Sequence, residues 1–121
     1  MKIAIPVDEK NPDSSVCPSF GRTPYFAVYD TDDEKTVFFD NEAASAQGGA
    51  GIKAAQLIAD MDVDVLLSPR CGENAAEVLN KAEVRIYKTA AGTARFNIGE
   101  FKAGRLTMLS DYHAGLHGHA E

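Results

Sequence analysis

Two thiols and two arginines are the side chains of this sequence best suited to hold a metal or an inorganic anion. Cys17 and Cys71 are the only cysteines, and thiolates bind copper(I), zinc and iron–sulfur species. Arg22 and Arg70 can each direct several N–H donors at an anion. Because Cys71 follows Arg70 and precedes a predicted helix, we expect its thiol to have a lowered pKa. The alternative is two unrelated small residues and two surface ion pairs.

The C-terminal run, residues 110–121, contains all three histidines of the chain. His113 and His117 are four residues apart, which would put both imidazoles on one face of a helix, and His119 could complete a divalent-metal site. Two glycines in the run disfavour a stable helix. We therefore predict a folded domain over residues 1–109, followed by a flexible tail that either binds metal loosely or has no role.

Composition and charge exclude several classes of function. The 121 residues suit one domain, and the net charge is -6. No two Lys or Arg residues are adjacent, so nucleic acid and anionic membranes are poor candidate partners. The start of the chain is unlike a signal peptide and no apolar run is long enough to cross a membrane. We expect a cytoplasmic protein with free thiols.

The chain alternates apolar runs with helical patterns in the order βββαβαβα. The strands are predicted at residues 2–7, 25–30, 36–40, 63–67 and 84–87. Strands two and three are joined by so few residues that they should pair antiparallel, whereas right-handed crossovers make strands one, four and five parallel. The prediction is an α/β, ribonuclease H-like three-layer fold. Its mixed five-stranded sheet has the order 3-2-1-4-5, with helices on both faces.

This topology predicts where the candidate residues lie. The loops after parallel strands open at one edge of a sheet, where the following helices present their N-termini. That edge would collect Cys17, Arg22, Arg70, Cys71 and the backbone amides near Gly72 and Gly92. Thr93 is a plausible N-cap of the last helix. We therefore expect an electropositive rim on an acidic protein, suited to an anionic ligand.

The sequence lacks two familiar kinds of active site. The predicted fold suggests a nuclease, which needs several carboxylates on the first and fourth strands and the first helix. Here Asp8 lies past the first strand, the fourth strand ends in Ser68-Pro69-Arg70, and the first helix has no acid before Asp60. No histidine outside the tail could activate a nucleophile, so we predict no enzymatic activity. Gly48–Gly51 lacks the Lys-Ser/Thr of a P-loop and is interpreted as a helix start and a close-packing point.

Four segments, in this order and spacing, carry a family resemblance. They are Phe20–Phe26 with Tyr29–Asp30, Gly48–Ile52, Gly72 with Asn74–Ala75, and Gly92–Thr93. With them the chain, up to about residue 109, resembles the dinitrogenase iron-molybdenum cofactor biosynthesis family, which includes NifX and the C-terminal domain of NifB. That family is similar in fold to ribonuclease H. Many of its members have a histidine where this chain has Ser19.

The resemblance implies a non-catalytic protein that binds or carries an anionic metal–sulfur cluster, such as the iron-molybdenum cofactor or a related species of molybdenum, iron or copper. Residues 1–109 would then be a NifX-like cluster-binding domain, with cluster-assembly proteins as further candidate partners. The predicted cofactor-binding residues are Arg22, Arg70, Gly72, Asn74, Gly92 and Thr93. The predicted metal ligands are Cys17, Cys71, His113, His117 and His119.

Two other functions remain open from the sequence. One is a thiol-based redox protein that uses Cys71 as a reactive thiolate and Cys17 as its resolving partner. The other is a metal-free regulatory domain that binds a small anion or a partner protein. Metal and sulfide content would separate the cluster-binding prediction from both.

Overall fold

A buried strand forms the centre of the structure, a computed structural model that describes residues 1–109. This strand, β1 (Lys2–Val7), is buried from its second residue to its last. Its side chains alternate between two cores, with Ile3 and Ile5 in one and Ala4 in the other. Burial on both faces explains why the strand reads as a continuous apolar run.

Four further strands extend the sheet on both sides of β1. β2 (Tyr25–Asp30) pairs antiparallel with β1, and β3 (Lys35–Asp40) pairs antiparallel with β2. On the other side, β4 (Val65–Ser68) pairs parallel with β1, and β5 (Arg85–Lys88) pairs parallel with β4. The resulting order, β3-β2-β1-β4-β5, is the predicted one.

Three α-helices cover the sheet, and they divide unequally between its faces. α1 (Ala50–Asp60) and α2 (Glu73–Lys81) share one core and contact each other. α3 (Ala94–Lys102) contributes to the core on the opposite face. Helices on both faces of a mixed sheet confirm the predicted α/β architecture.

One short element was not expected from the sequence. The predicted order βββαβαβα has no element between the third strand and the first helix, but Glu42–Ser45 forms a turn of 3₁₀ helix. The buried Asn41 precedes it, and its Oδ1 accepts a hydrogen bond from the amide of Ala43 at 3.1 Å. This local bond stabilises the turn without any apolar periodicity.

Two further predictions concern membrane-spanning helices and the C-terminal tail. No helix within residues 1–109 is long and apolar enough to cross a membrane. The predicted tail and its histidines, His113, His117 and His119, lie outside the described residues.

Candidate functional site

A cleft of about 530 Å³ opens at the C-terminal ends of β1 and β4. Three segments line it. These are the loop after β1 (residues 18–22), the start of α1 (residues 49–52) and the turn into α2 (residues 70, 72, 74 and 75). The sequence prediction placed Arg22, Arg70, Gly72 and Asn74 at a binding site, and the structure brings all four to this cleft.

Two helix N-termini meet at the cleft, and neither has a capping side chain. The N-cap of α1 is Gly49, in the left-handed region with φ 67°, and the N-cap of α2 is Gly72. The first amides of an α-helix have no partner within the helix, and they carry the positive end of its dipole. Within residues 1–109 no side-chain oxygen caps them, so these amides are suited to bind an anion.

The side chains of the cleft add positive charge. Arg22 and Arg70 both line it, and no acidic residue of the described chain does. Arg70 is exposed, and within residues 1–109 no carboxylate lies at ion-pair distance from its guanidinium. The cleft is therefore a local positive site on a protein of net charge -6.

Arg22 is engaged differently from Arg70. Its Nη1 donates to the carbonyl oxygens of Ala44 at 3.0 Å and Ala46 at 2.6 Å. The cation thus spans from the loop after β1 to the segment that precedes α1. The Nη1 group of this guanidinium is therefore hydrogen-bonded within the protein.

Apolar groups form part of the cleft wall. Phe20 lines the cleft and packs on Phe26, with 5.4 Å between ring centroids and 55° between ring planes. Ile52 and Ala75 line it from the two helices. The site therefore combines an apolar wall with convergent donors, as ligand sites commonly do.

Cys71 lies in the core rather than in the cleft. Its side chain is 0% exposed and belongs to the cluster between the sheet and the α1–α2 pair. Burial raises the pKa of the Cys71 thiol to about 12. The predicted lowering was wrong because desolvation of the thiolate outweighs the helix N-terminus, while the neighbouring Arg70 is exposed to water.

Cys17 also lies apart from the cleft lining. It is 8% exposed, and its Sγ donates to the carbonyl of Ser19 at 3.7 Å. Both cysteines are free thiols. Within residues 1–109 no group of three or more His, Cys, Asp or Glu side chains could hold a metal ion. Neither thiol is among the residues that line the cleft, and ligation by Cys17 and Cys71 stays a prediction.

Gly92 and Thr93, also predicted to bind the ligand, begin α3 away from the cleft. Thr93 Oγ1 accepts from the amide of Phe96 at 3.0 Å. The buried Asn97 donates to the carbonyls of Thr93 and Ala90 at 3.0 Å each, and its Oδ1 accepts from the Ala90 amide at 2.8 Å. Gly92 and Thr93 therefore lie at the predicted edge of the sheet but outside the residues that line the cleft, because α3 packs on the other face.

Sequence reasoning missed the part that the Gly48–Gly51 run plays at the cleft. The close-packing interpretation is correct, since a Cβ on Gly21 would lie 2.8 Å from the backbone nitrogen of Gly51. The same run also places the uncapped start of α1 in the cleft lining. The available signal was a glycine run before a helix with no Ser, Thr, Asp or Asn to cap it.

Comparisons with known proteins agree with this architecture. A family model described as dinitrogenase iron-molybdenum cofactor matches residues 1–104. The apo form of the orange protein from Desulfovibrio gigas has a TM-score of 0.86 and 30% sequence identity, covering 90% of this chain and 92% of that one. A candidate NifB protein from Thermotoga has a TM-score of 0.80 and 34% identity, covering 92% and 95%. An uncharacterized protein from Methanocaldococcus jannaschii is 28% identical over 109 residues, 88% of this chain and 89% of the relative.

Proposed function

The chain belongs to the dinitrogenase iron-molybdenum cofactor family, and we propose that it is a non-catalytic protein that binds or carries an anionic metal–sulfur cluster. The cluster would be the iron-molybdenum cofactor or a related molybdenum, iron or copper sulfide, bound between α1 and α2. One observation carries the proposal. Two uncapped helix N-termini and Arg70 converge on a cleft with no acidic lining residue among those described.

The chemistry of the cleft suits such a cargo. The outer sulfides of a cluster are large, weakly hydrated acceptors, and amide and guanidinium N–H groups can donate to them. The wall formed by Phe20 and Ile52 would exclude water from the bound face of the cluster. Interactions between the cluster's charge and the helix dipoles are stronger where water is excluded.

The proposed binding relies on charge and hydrogen bonds more than on protein ligands to the metal. Within residues 1–109 no thiol lines the cleft. Cys71 is buried in the core, and burial raises the pKa of its thiol, so the proposal assigns it no ligand role. Cys17, next to lining residue Pro18, and the histidines beyond residue 109 stay predicted as additional ligands.

Two of the comparisons support the proposal. The orange protein has been solved in an apo form, which implies a group that this relative binds. The family model is named for the iron-molybdenum cofactor, and we extend that relation to this chain. We also propose that its sheet order is the ribonuclease H-like one, without the nuclease carboxylates. Proteins of cluster assembly would then be its partners.

A direct test measures cargo retention. The untagged protein is purified anaerobically, incubated with tetrathiomolybdate with and without copper(I), and separated from unbound metal by gel filtration. We expect stoichiometric molybdenum and sulfide on the wild type, and about tenfold weaker binding in Arg70→Ala because one charge-assisted contact is lost.

Arg85→Ala is the matched control for this test. Arg85 is an exposed arginine at the start of β5, the opposite end of the sheet from the cleft. The control should bind as the wild type does. A wild type that retains no molybdenum, or equal losses in the two variants, would contradict the proposal.

A metal-free regulatory role is the second candidate, because uncapped helix N-termini also suit phosphate-like anions. Phosphate binding without any affinity for thiomolybdate would favour it. The thiol-redox alternative has less support, since a buried thiol with a pKa of about 12 is a poor nucleophile.

A further inference from the structure

We propose that Arg22 is a positioning residue that holds the start of α1 at the cleft, while Arg70 meets the anion directly. This inference rests on the proposed anion-binding role of the cleft. Both arginines line the cleft, and we assign them different roles: one positions the protein chain and the other contacts the anion.

The Arg22 side chain bonds to the segment that precedes α1. Its Nη1 donates to the carbonyls of Ala44 and Ala46, at 3.0 and 2.6 Å. These carbonyls lie at the end of the 3₁₀ helix Glu42–Ser45, where main-chain oxygens lack helical partners. Arg22 therefore fixes the chain just before the link into α1.

The neighbouring residue, Gly21, packs against the first turn of α1. A Cβ on Gly21 would lie 2.8 Å from the nitrogen and 2.9 Å from the Cα of Gly51, in the first turn of α1. Residues 21 and 22 therefore hold the chain on both sides of the short link from residue 47 to residue 49. One side is held by the Arg22 guanidinium and the other by main-chain packing.

The link between these two contacts contains two glycines that make no side-chain contacts. Gly48 and Gly49 have no side chains to pack, and Cβ atoms placed on them would meet nothing within 4 Å. Glycine has the largest conformational freedom of any residue. The position of the free α1 amides therefore depends on the anchors outside the link, of which Arg22 is one.

The loop that carries Arg22 is held independently of its guanidinium. Asn41 Nδ2 donates to the carbonyls of Gly21 at 3.0 Å and Thr23 at 2.9 Å, and the Asn41 amide donates to Pro24 O at 3.0 Å. Loss of the Arg22 side chain should therefore loosen the start of α1 without unfolding the loop.

The test compares four variants, Arg22→Met, Arg22→Lys, Arg70→Met and Arg70→Lys. Lysine keeps the charge but is shorter than arginine and lacks the planar guanidinium, so it should not reproduce the contacts of Arg22 with Ala44 and Ala46. The first measurement is amide hydrogen exchange in ligand-free protein. We expect about fivefold or faster exchange at residues 47–52 in both Arg22 variants, by local opening. Residues 73–76 should be unchanged, and neither Arg70 variant should alter residues 47–52.

The second measurement is affinity for tetrathiomolybdate at several ionic strengths. Both Arg22 variants should bind about fivefold to tenfold more weakly, because the α1 amides are displaced. Arg22→Lys keeps its charge and should keep the wild-type salt dependence, whereas Arg22→Met also removes a charge from the cleft and should lose part of it. Arg70→Met should lower both the affinity and its salt dependence, and Arg70→Lys should recover most of each.

Two results would overturn the inference: unchanged exchange at residues 47–52 in the Arg22 variants, or affinity restored by Arg22→Lys. Because exchange is measured without ligand, it separates this inference from the proposed function. Faster exchange in the variants of a protein that binds no thiomolybdate would support the positioning role and contradict the cargo.

Discussion

α2 and α3 follow adjacent parallel strands and begin at the same edge of the sheet, yet their N-termini differ. α2 begins after Gly72, which offers no capping side chain, whereas α3 begins after Thr93, whose Oγ1 accepts from the Phe96 amide. The amides of α3 are further covered by Ser14, whose carbonyl accepts from the Ala94 amide at 3.0 Å. A helix N-terminus can serve as a binding site only where the sequence leaves it uncapped.

The two ends also differ in charge. Arg95, in the first turn of α3, forms an ion pair with Asp13 at 2.8 Å. Arg70, just before α2, has no such partner within residues 1–109. The α3 end is therefore closed by capping and pairing, whereas the cleft keeps its donors and its charge.

Asn97→Ala should destabilise the protein most while leaving the cleft intact. The change removes three hydrogen bonds between a buried side chain and the loop around Ala90 and Thr93. We expect a loss of about 3 kcal/mol in unfolding free energy, since the backbone groups would lose their partners. Urea denaturation checks the loss, and thiomolybdate titration should give the wild-type affinity. A loss of affinity that matches the loss of stability would break the distinction between the two ends.

Gly21→Ala should damage the cleft itself. The new Cβ would lie 2.8 Å from the nitrogen of Gly51, and backbone cannot give way cheaply. We expect a loss of about 2 kcal/mol in stability from overpacking, together with weaker anion binding. Gly48→Ala is the matched control, because a Cβ there meets nothing within 4 Å and should leave both quantities unchanged. Equal effects of the two substitutions would contradict the account.

The pH dependence of stability should show that Cys71 belongs to the core despite its position beside Arg70. Its thiol has a pKa of about 12 in the folded protein against an ordinary 9.0. The stabilising contribution is fully present below pH 9.0 and declines as the unfolded chain loses the proton first. Between these values it should fall by about 1.4 kcal/mol per pH unit. The measurement is the free energy of unfolding at several pH values, taken as the wild type minus Cys71→Ala. An accessible thiol would give a difference that does not change with pH.

Gly72→Ser should make the start of α2 resemble that of α3. Gly72 has φ -72° and ψ 154°, an extended conformation that serine adopts as an N-cap. We expect a gain of a few tenths of a kcal/mol in stability and about threefold weaker thiomolybdate binding, because the new hydroxyl occupies one amide. The affinity is measured beside that of the wild type at one salt concentration. An increase in both stability and affinity would argue that the amides of α2 do not meet the anion.

Most of the fold could be predicted from the sequence. The apolar runs of β1 and β2 match the observed strands residue for residue, and the short turn into β3 required an antiparallel pair. The strand order followed from crossover handedness. The 3₁₀ helix after Asn41 was missed because one side-chain bond stabilises it, without apolar periodicity.

The site could be predicted only in part, because loops at one edge of a sheet can still serve opposite faces. Arg22, Arg70, Gly72 and Asn74 line one cleft. Gly92 and Thr93, expected with them, begin the helix that packs on the other face. That choice of face depends on the tertiary packing of α3, which no local pattern at the Gly-Thr pair reveals.

The environment of the thiols was the other limit. Arg70 and Cys71 are neighbours in sequence, but the arginine is exposed and the cysteine is 0% exposed. The pKa of the Cys71 thiol is therefore raised, although its sequence neighbour Arg70 suggested that it would be lowered. Local sequence indicates which charges are near, whereas burial depends on the whole core.

The most direct test of the central claim is a titration of ¹⁵N-labelled protein with tetrathiomolybdate, followed by amide chemical shifts. We expect saturable shifts at Ala50–Ile52 and Glu73–Ala75, the first turns of the two uncapped helices. The amides of Ala94–Phe96, at the capped start of α3, should not move. Saturable shifts confined to α3, or equal shifts at all three helix starts, would contradict the claim that the α1–α2 cleft is the anion site.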